Sequence, residues 1–226
     1  VTALALGDEK AATRALTKAA HALPGEPLPQ LLSAQLLQRQ GQHEAARQEL
    51  RTLMKHETTA ALAARRLIEQ HLEDREWGQA LALAEKLREE TPDDRWLTLT
   101  LIDLYSRRGD TANMLALSEG WKFRSPLSRE ERHRYAALAY YQIATGDAQV
   151  KAKHTALRHA VGYAPEFLPA AVDYATQLLA AGEIRSARKW LRERWLAAPD
   201  PLLIPPIIAS LANENPQRQS RLLSAF

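Results

Sequence analysis

The feature that most constrains this chain is an internal repeat. Ala12, Ala46 and Ala80 stand 34 residues apart, and Met114 lies a further 34 along. Pro24, Pro92 and Pro126 keep the same frame, with Thr58 in the one vacant proline slot, and Gly7, Gly41 and Gly109 keep it too. After Pro126 the frame slips by five residues and then resumes, because Pro165 and Pro199 are again 34 apart. A chain patterned in this way folds as a series of similar small units, each burying its apolar face on its neighbours.

Each mark has a physical task in a pair of antiparallel helices. Gly7-Asp8, Gly41-Gln42, Gly109-Asp110 and Gly182-Glu183 sit where a first helix ends and the backbone needs a left-handed turn. Five residues later Ala12, Ala46, Ala80 and Ala187 let the second helix approach the first closely, whereas Met114 is large and predicts a splayed or repacked fourth pair. The closing proline ends the second helix, since it lacks an amide hydrogen and clashes with the preceding turn. A helix-turn-helix unit with a 34-residue period is the tetratricopeptide repeat. The expected fold is therefore all-α, a right-handed superhelix of antiparallel helix pairs with about six repeats in residues 1–200.

First helices are expected at about 27–40, 61–73, 95–108, 128–145 and 167–181, and second helices at about 8–21, 42–55, 76–90, 110–122, 148–162 and 183–197. Residues 1–6 read as the last turns of a truncated first helix, which implies a segment upstream of Val1. Ser128 and Glu131 form a capping box at the start of the slipped repeat, whose first helix the slip should lengthen. Residues 201–226 read as an apolar capping segment. Pro205 and Pro206 are expected to kink or interrupt a helix there, residues 213–216 form a turn, and a short amphipathic helix follows through Leu222, Leu223 and Phe226.

Composition agrees with helix and excludes several chemistries. Hydrophobic residues make up 46% of the chain, with only 9 Gly and 12 Pro to interrupt helices. The absence of cysteine removes disulfides, thiolate metal sites and a cysteine nucleophile. No stretch approaches the ~18 apolar residues of a membrane span, so this segment is expected to be water-soluble. No phosphate loop, nucleophile triad or paired metal-ligand motif accompanies the repeat, and the chain is not expected to be an enzyme. His43-Glu44 opens like a zinc-protease motif, but Arg47 stands where the second histidine belongs. Charge is uneven: residues 1–113 hold 15 Lys and Arg against 17 Asp and Glu, and residues 114–226 hold 15 against 10. A basic half can favour an anionic partner or leaflet, or be a solvated face; without a recognised binding motif no nucleic acid is expected.

The order of local signatures resembles one family, the HemY-type tetratricopeptide-repeat proteins of the bacterial inner membrane, associated with late haem and porphyrin synthesis. The residues carrying the resemblance are ALALGDEKAATRALTKAAHALPGEPLPQLLSAQLLQRQGQHEAARQEL, LALAEKLREETPDDRWLTLTLIDLYSRRGD, ALAYYQIATGD and YAPEFLPAAVDYATQLLAAGEIRSARKWLRERWLAAPDP. LPGEPLPQLLSAQ, the Trp that opens the helix at 95–108 and PEFLPAA are the parts beyond generic repeat positions. The resemblance implies a protein-interaction scaffold whose partners include enzymes of haem biosynthesis. It also implies an upstream membrane anchor and a place on the cytosolic face of the inner membrane.

In such an array the first helices line the concave face. The inward-facing candidates are Gln35, Arg39, Arg65, Glu69, Trp96, Asp103, Arg107, Tyr135 and Gln142. Trp96 is either a binding anchor or a packed inter-repeat residue. Arg39, Arg65 and Arg107 are either exposed cations or partners for acidic side chains or porphyrin propionates. The Lys and Asn set that clamps a C-terminal carboxylate in chaperone cofactors is missing. No cofactor is expected, although a carrier reading keeps haem in view with His71 or His154 as axial ligand. Arg185, Arg188, Lys189, Arg192 and Arg194 surround Trp190 and Trp195, which belong either against anionic lipid or against the apolar tail.

Overall fold

The computed structural model describes residues 9–22, 27–119, 125–146 and 149–224. Gly7, Pro24, the remnant helix at 1–6, the end of the helix expected at 110–122 and Phe226 lie outside them. The described residues are helical: α1 (Glu9–Ala22), α2 (Pro27–Arg39), α3 (His43–Leu53), α4 (Glu57–Glu73), α5 (Trp77–Glu90), α6 (Arg95–Arg108) and α7 (Thr111–Glu119). Then come α8 (Arg129–Thr145), α9 (Val150–Tyr163), α10 (Leu168–Ala180) and α11 (Ile184–Ala197). A 3-10 turn (Pro201–Leu203), α12 (Ile204–Leu211) and α13 (Pro216–Leu223) close the chain. The chain divides into two compact units, Val1–Leu104 and Tyr105–Phe226.

The turn between the helices of a pair is built the same way four times. Gly41, Gly109 and Gly182 have φ of 72°, 72° and 77°. Each N–H donates to the carbonyl three residues back, and the next N–H donates to the carbonyl five back, as in Gly182 to Leu179 and Glu183 to Leu178. These two bonds satisfy carbonyls that the helix end leaves open. In the remaining pair the frame position of glycine is Arg75, which adopts the left-handed φ of 60° and makes the same two bonds, to Leu72 and from Glu76 to His71.

Just past each turn the small residue is buried: Ala46, Ala80 and Ala187 are almost wholly removed from solvent. In the first unit α2 packs on α3 and α4 on α5, and Leu50, Leu53, Ala63 and Leu67 share a core with Ala34. Met114 is fully buried as well, so its bulk is accommodated inside the second unit.

One helix start differs from expectation. Helix α4 begins at Glu57, four residues early, because Thr58 stands where other repeats have proline and nothing holds the chain out of helix. The slipped repeat does have a long first helix, α8 of 17 residues against 14 in α6, started by the Ser128–Glu131 capping box. In α8 the box is reciprocal, with Glu131 N–H donating to Ser128 Oγ and Ser128 N–H to Glu131 Oε2.

The tail corrects the expectation for Pro205 and Pro206. They do not interrupt a helix but open α12, occupying its first turn, where a missing amide hydrogen costs nothing. From there Leu203 and Ile207 pack on Ala175 and Leu191, with Trp190 and Trp195 beside them. Arg188 anchors the tail by donating to the Ser210 carbonyl and pairing with Glu214 at 2.6 Å. Both tryptophans thus serve the end of the core. Asn215 caps α13 by accepting from Arg218 N–H, so the turn ends where Pro216 begins the helix.

Candidate partner-binding cleft

In the first unit a cleft of about 470 Å³ opens between α2 and α4, the first helices of successive pairs. Its apolar wall includes Leu28, Leu31, Leu32 and Leu62, and its polar wall Gln35, Gln38, Arg39, Arg66, Glu69 and Glu73. Leu28 and Leu62 are 59% and 48% exposed, which is unusual for leucines on helices that otherwise bury their apolar side chains. Both stand in the frame of Trp96, at 68 and 34 residues before it.

The expected groove residues divide into three groups. Gln35, Arg39 and Glu69 line the cleft. Arg65 lies one turn before Glu69 on α4; its guanidinium sits 4.2 Å above the Trp96 ring, 3.4 Å from Glu69 and 3.9 Å from Asp94. Trp96 is half-buried, with the Arg65 cation stacked on its ring. Asp103 is exposed on α6 in the same unit. Arg107, Tyr135 and Gln142 belong to the second unit, where Arg107 is exposed, Tyr135 is half-buried and Gln142 donates to Ser106 Oγ at 2.7 Å. Gln142 is therefore engaged with the first helix of the preceding repeat.

Leu28, Leu62, Gln38, Arg66 and Glu73 were not among the expected residues. The repeat frame carries the signal for the two leucines, since stepping back from Trp96 lands on each. Gln38 and Glu73 come together as a hydrogen bond of 2.7 Å across the cleft, and Arg66 pairs with Glu69 at 2.8 Å. Such contacts join residues 35 and 3 positions apart, and only the first spans helices.

The two histidines considered as ligands lie elsewhere. His71 is buried on α4, and its Nδ1 meets Glu76 Oε2 at 2.6 Å; Arg47 reaches the same carboxylate at 2.8 Å and Asp74 at 2.7 Å. The bond from His71, joined by Arg47 and opposed by burial, holds the Glu76 carboxyl below its ordinary value. This set fastens α3 to the α4–α5 turn. His154 on α9 packs against the Tyr174 ring at 5.7 Å. In the second unit the Tyr140 and Tyr163 hydroxyls both donate to Glu119, at 3.1 and 2.8 Å. That bond and burial push the Tyr163 phenol up to about 12, so it remains a donor throughout the neutral range.

The described residues form an all-helical, tetratricopeptide-type repeat fold, with a mixed polar and apolar groove in the first unit. Solved structures with distant likeness include a tetratricopeptide repeat protein from Parabacteroides merdae, at 13% identity and a TM-score of 0.47, covering 99% of this chain and 94% of that one. A thermophilic TPR protein of Thermus thermophilus shows 17% identity and a TM-score of 0.35 over 73% of this chain and 98% of that one. The TPR2AB domain of yeast Sti1, in complex with pHSP90, shows 15% and 0.37 over 93% and 88%. No protein-family model matches the chain, and no curated protein matches it either. Among the described residues no helix is long and apolar enough to cross a membrane.

Proposed function

We propose that this chain is a non-enzymatic scaffold that holds a protein segment in the cleft between α2 and α4. The observation that carries this reading is the pair of exposed leucines, Leu28 and Leu62, set in one cleft beside Gln35, Arg39 and Glu69. Exposed aliphatic side chains in a concave, polar-rimmed site suit an apolar anchor from a partner, with the rim fixing its orientation. The finer reading, a scaffold that gathers enzymes of late haem synthesis at the cytosolic face of the bacterial inner membrane, rests on the HemY-type sequence segments.

Affinity purification from native cells tests both parts, with Arg39→Ala and Leu62→Ala combined as the comparison. Recovery of haem-pathway enzymes by the native chain, reduced about tenfold or more by the variant, is the expected result. Recovery of unrelated proteins alone removes the haem reading. Equal recovery of the same partners by both chains removes the cleft.

A further inference from the structure

The C-terminal end of the array presents a second surface with different chemistry. A repeat array must close its last unit, commonly with a polar outer face. Here the 3-10 turn and α12 bury Leu203 and Ile207 against the last pair, but α12 leaves Ile204 and Ile208, one helical turn apart, 42% and 60% exposed. Leu196 and Leu202 are 63% and 59% exposed just before it. From Trp195 to Ala212 the only charged residue is Asp200, and its carboxylate is occupied in accepting the Leu202 N–H at 2.9 Å.

Beside this apolar crest runs a basic stripe. Arg185, Lys189, Arg192 and Leu196 are spaced four, three and four along α11, which puts them on one face, and all four are exposed. Arg188 and Arg194 on the same helix are turned to internal tasks, Arg188 on Ser210 and Glu214 and Arg194 over the Trp190 ring at 5.1 Å. Residues 184–226 hold seven Lys and Arg against three Asp and Glu, a net of +4 that exceeds the +3 of the whole chain.

We propose that this end of the protein docks on a bilayer surface rich in anionic phospholipid, with Leu196, Leu202, Ile204 and Ile208 entering the acyl boundary and the α11 stripe facing the headgroups. The charge selects an anionic occupant and opposes a second copy of the same positive surface. The side-chain types select lipid over an acidic protein. Specific protein interfaces concentrate aromatic anchors, but here Trp190 and Trp195 pack on the core, and among the described residues the large exposed apolar side chains at this end are aliphatic. Aliphatic insertion beside cationic side chains is the chemistry of an interfacial amphipathic surface.

Vesicle flotation of the intact chain tests this, using phosphatidylcholine alone or with about one third phosphatidylglycerol. The chain should float with the anionic vesicles, stay behind with the neutral ones, and bind less as salt rises. Ile204→Ser with Ile208→Ser should weaken binding about tenfold or more. Arg185→Gln, Lys189→Gln and Arg192→Gln should weaken it by on the order of fivefold per residue. The substituted side chains are exposed, so circular dichroism should report native helix in both variants. Absent binding, equal binding to both lipids, or variants that bind like the native chain would overturn the proposal. So would displacement by polyglutamate at equal affinity, which assigns the surface to an acidic protein. A dimer in light scattering that the isoleucine variant abolishes would likewise assign it to a second copy.

Discussion

At position 75 the 34-residue frame asks for glycine and the chain supplies arginine, yet the backbone keeps a left-handed φ of 60°. A side chain in that conformation costs ~1–2 kcal/mol, so Arg75→Gly should stabilise the first unit by about 1 kcal/mol, read as a higher urea midpoint. The neighbouring Glu76 makes the opposite kind of prediction. Its carboxyl is held below the ordinary 4.5 by His71 and Arg47, so its contribution is complete above that value and is lost as pH falls through the lower folded value. The midpoint of the native chain should therefore fall as the pH is taken down below 4.5, and Glu76→Gln should lose less over the same interval. A parallel fall in both chains would remove Glu76 from the acid response.

At the scale of the helix, the small residue past each turn sets how closely a pair can pack. Ala80 is fully buried between α4 and α5, so Ala80→Leu should cost ~1–3 kcal/mol through overpacking, visible as a lower thermal midpoint. Ser128→Ala should cost about 1 kcal/mol by removing the cap of α8. Most helix boundaries were legible in the sequence because glycine, alanine and proline act locally, within one turn of where they stand. The early start of α4 was not, since Thr58 permits helix without demanding it. Pro205 and Pro206 misled for a related reason: a proline pair forbids the middle of a helix but suits its first turn, and sequence alone does not say which turn it occupies. Arg75 carries no such mark, because a left-handed turn shows in a sequence through its glycine.

For the whole molecule, the repeat frame led to the face on which Gln35, Arg39 and Glu69 meet, because residues one period apart occupy equivalent places on successive first helices. The frame did not reveal which of those side chains are spent on structure. Gln142 bonds to Ser106, and Arg65 is stacked on Trp96; both depend on contacts between helices that spacing alone does not encode. The exposed crest of Leu202, Ile204 and Ile208 was equally hidden, because the sequence records an apolar tail without saying which half of it is buried. The central claim is that a protein partner occupies the α2–α4 cleft. Photo-crosslinking from a benzoylphenylalanine placed at Gln35, compared with one at exposed Lys86 on α5, tests it most directly in native cells. Discrete protein adducts from Gln35 and none from Lys86 are predicted; adducts from Lys86 alone, or the same adducts from both, would contradict the account.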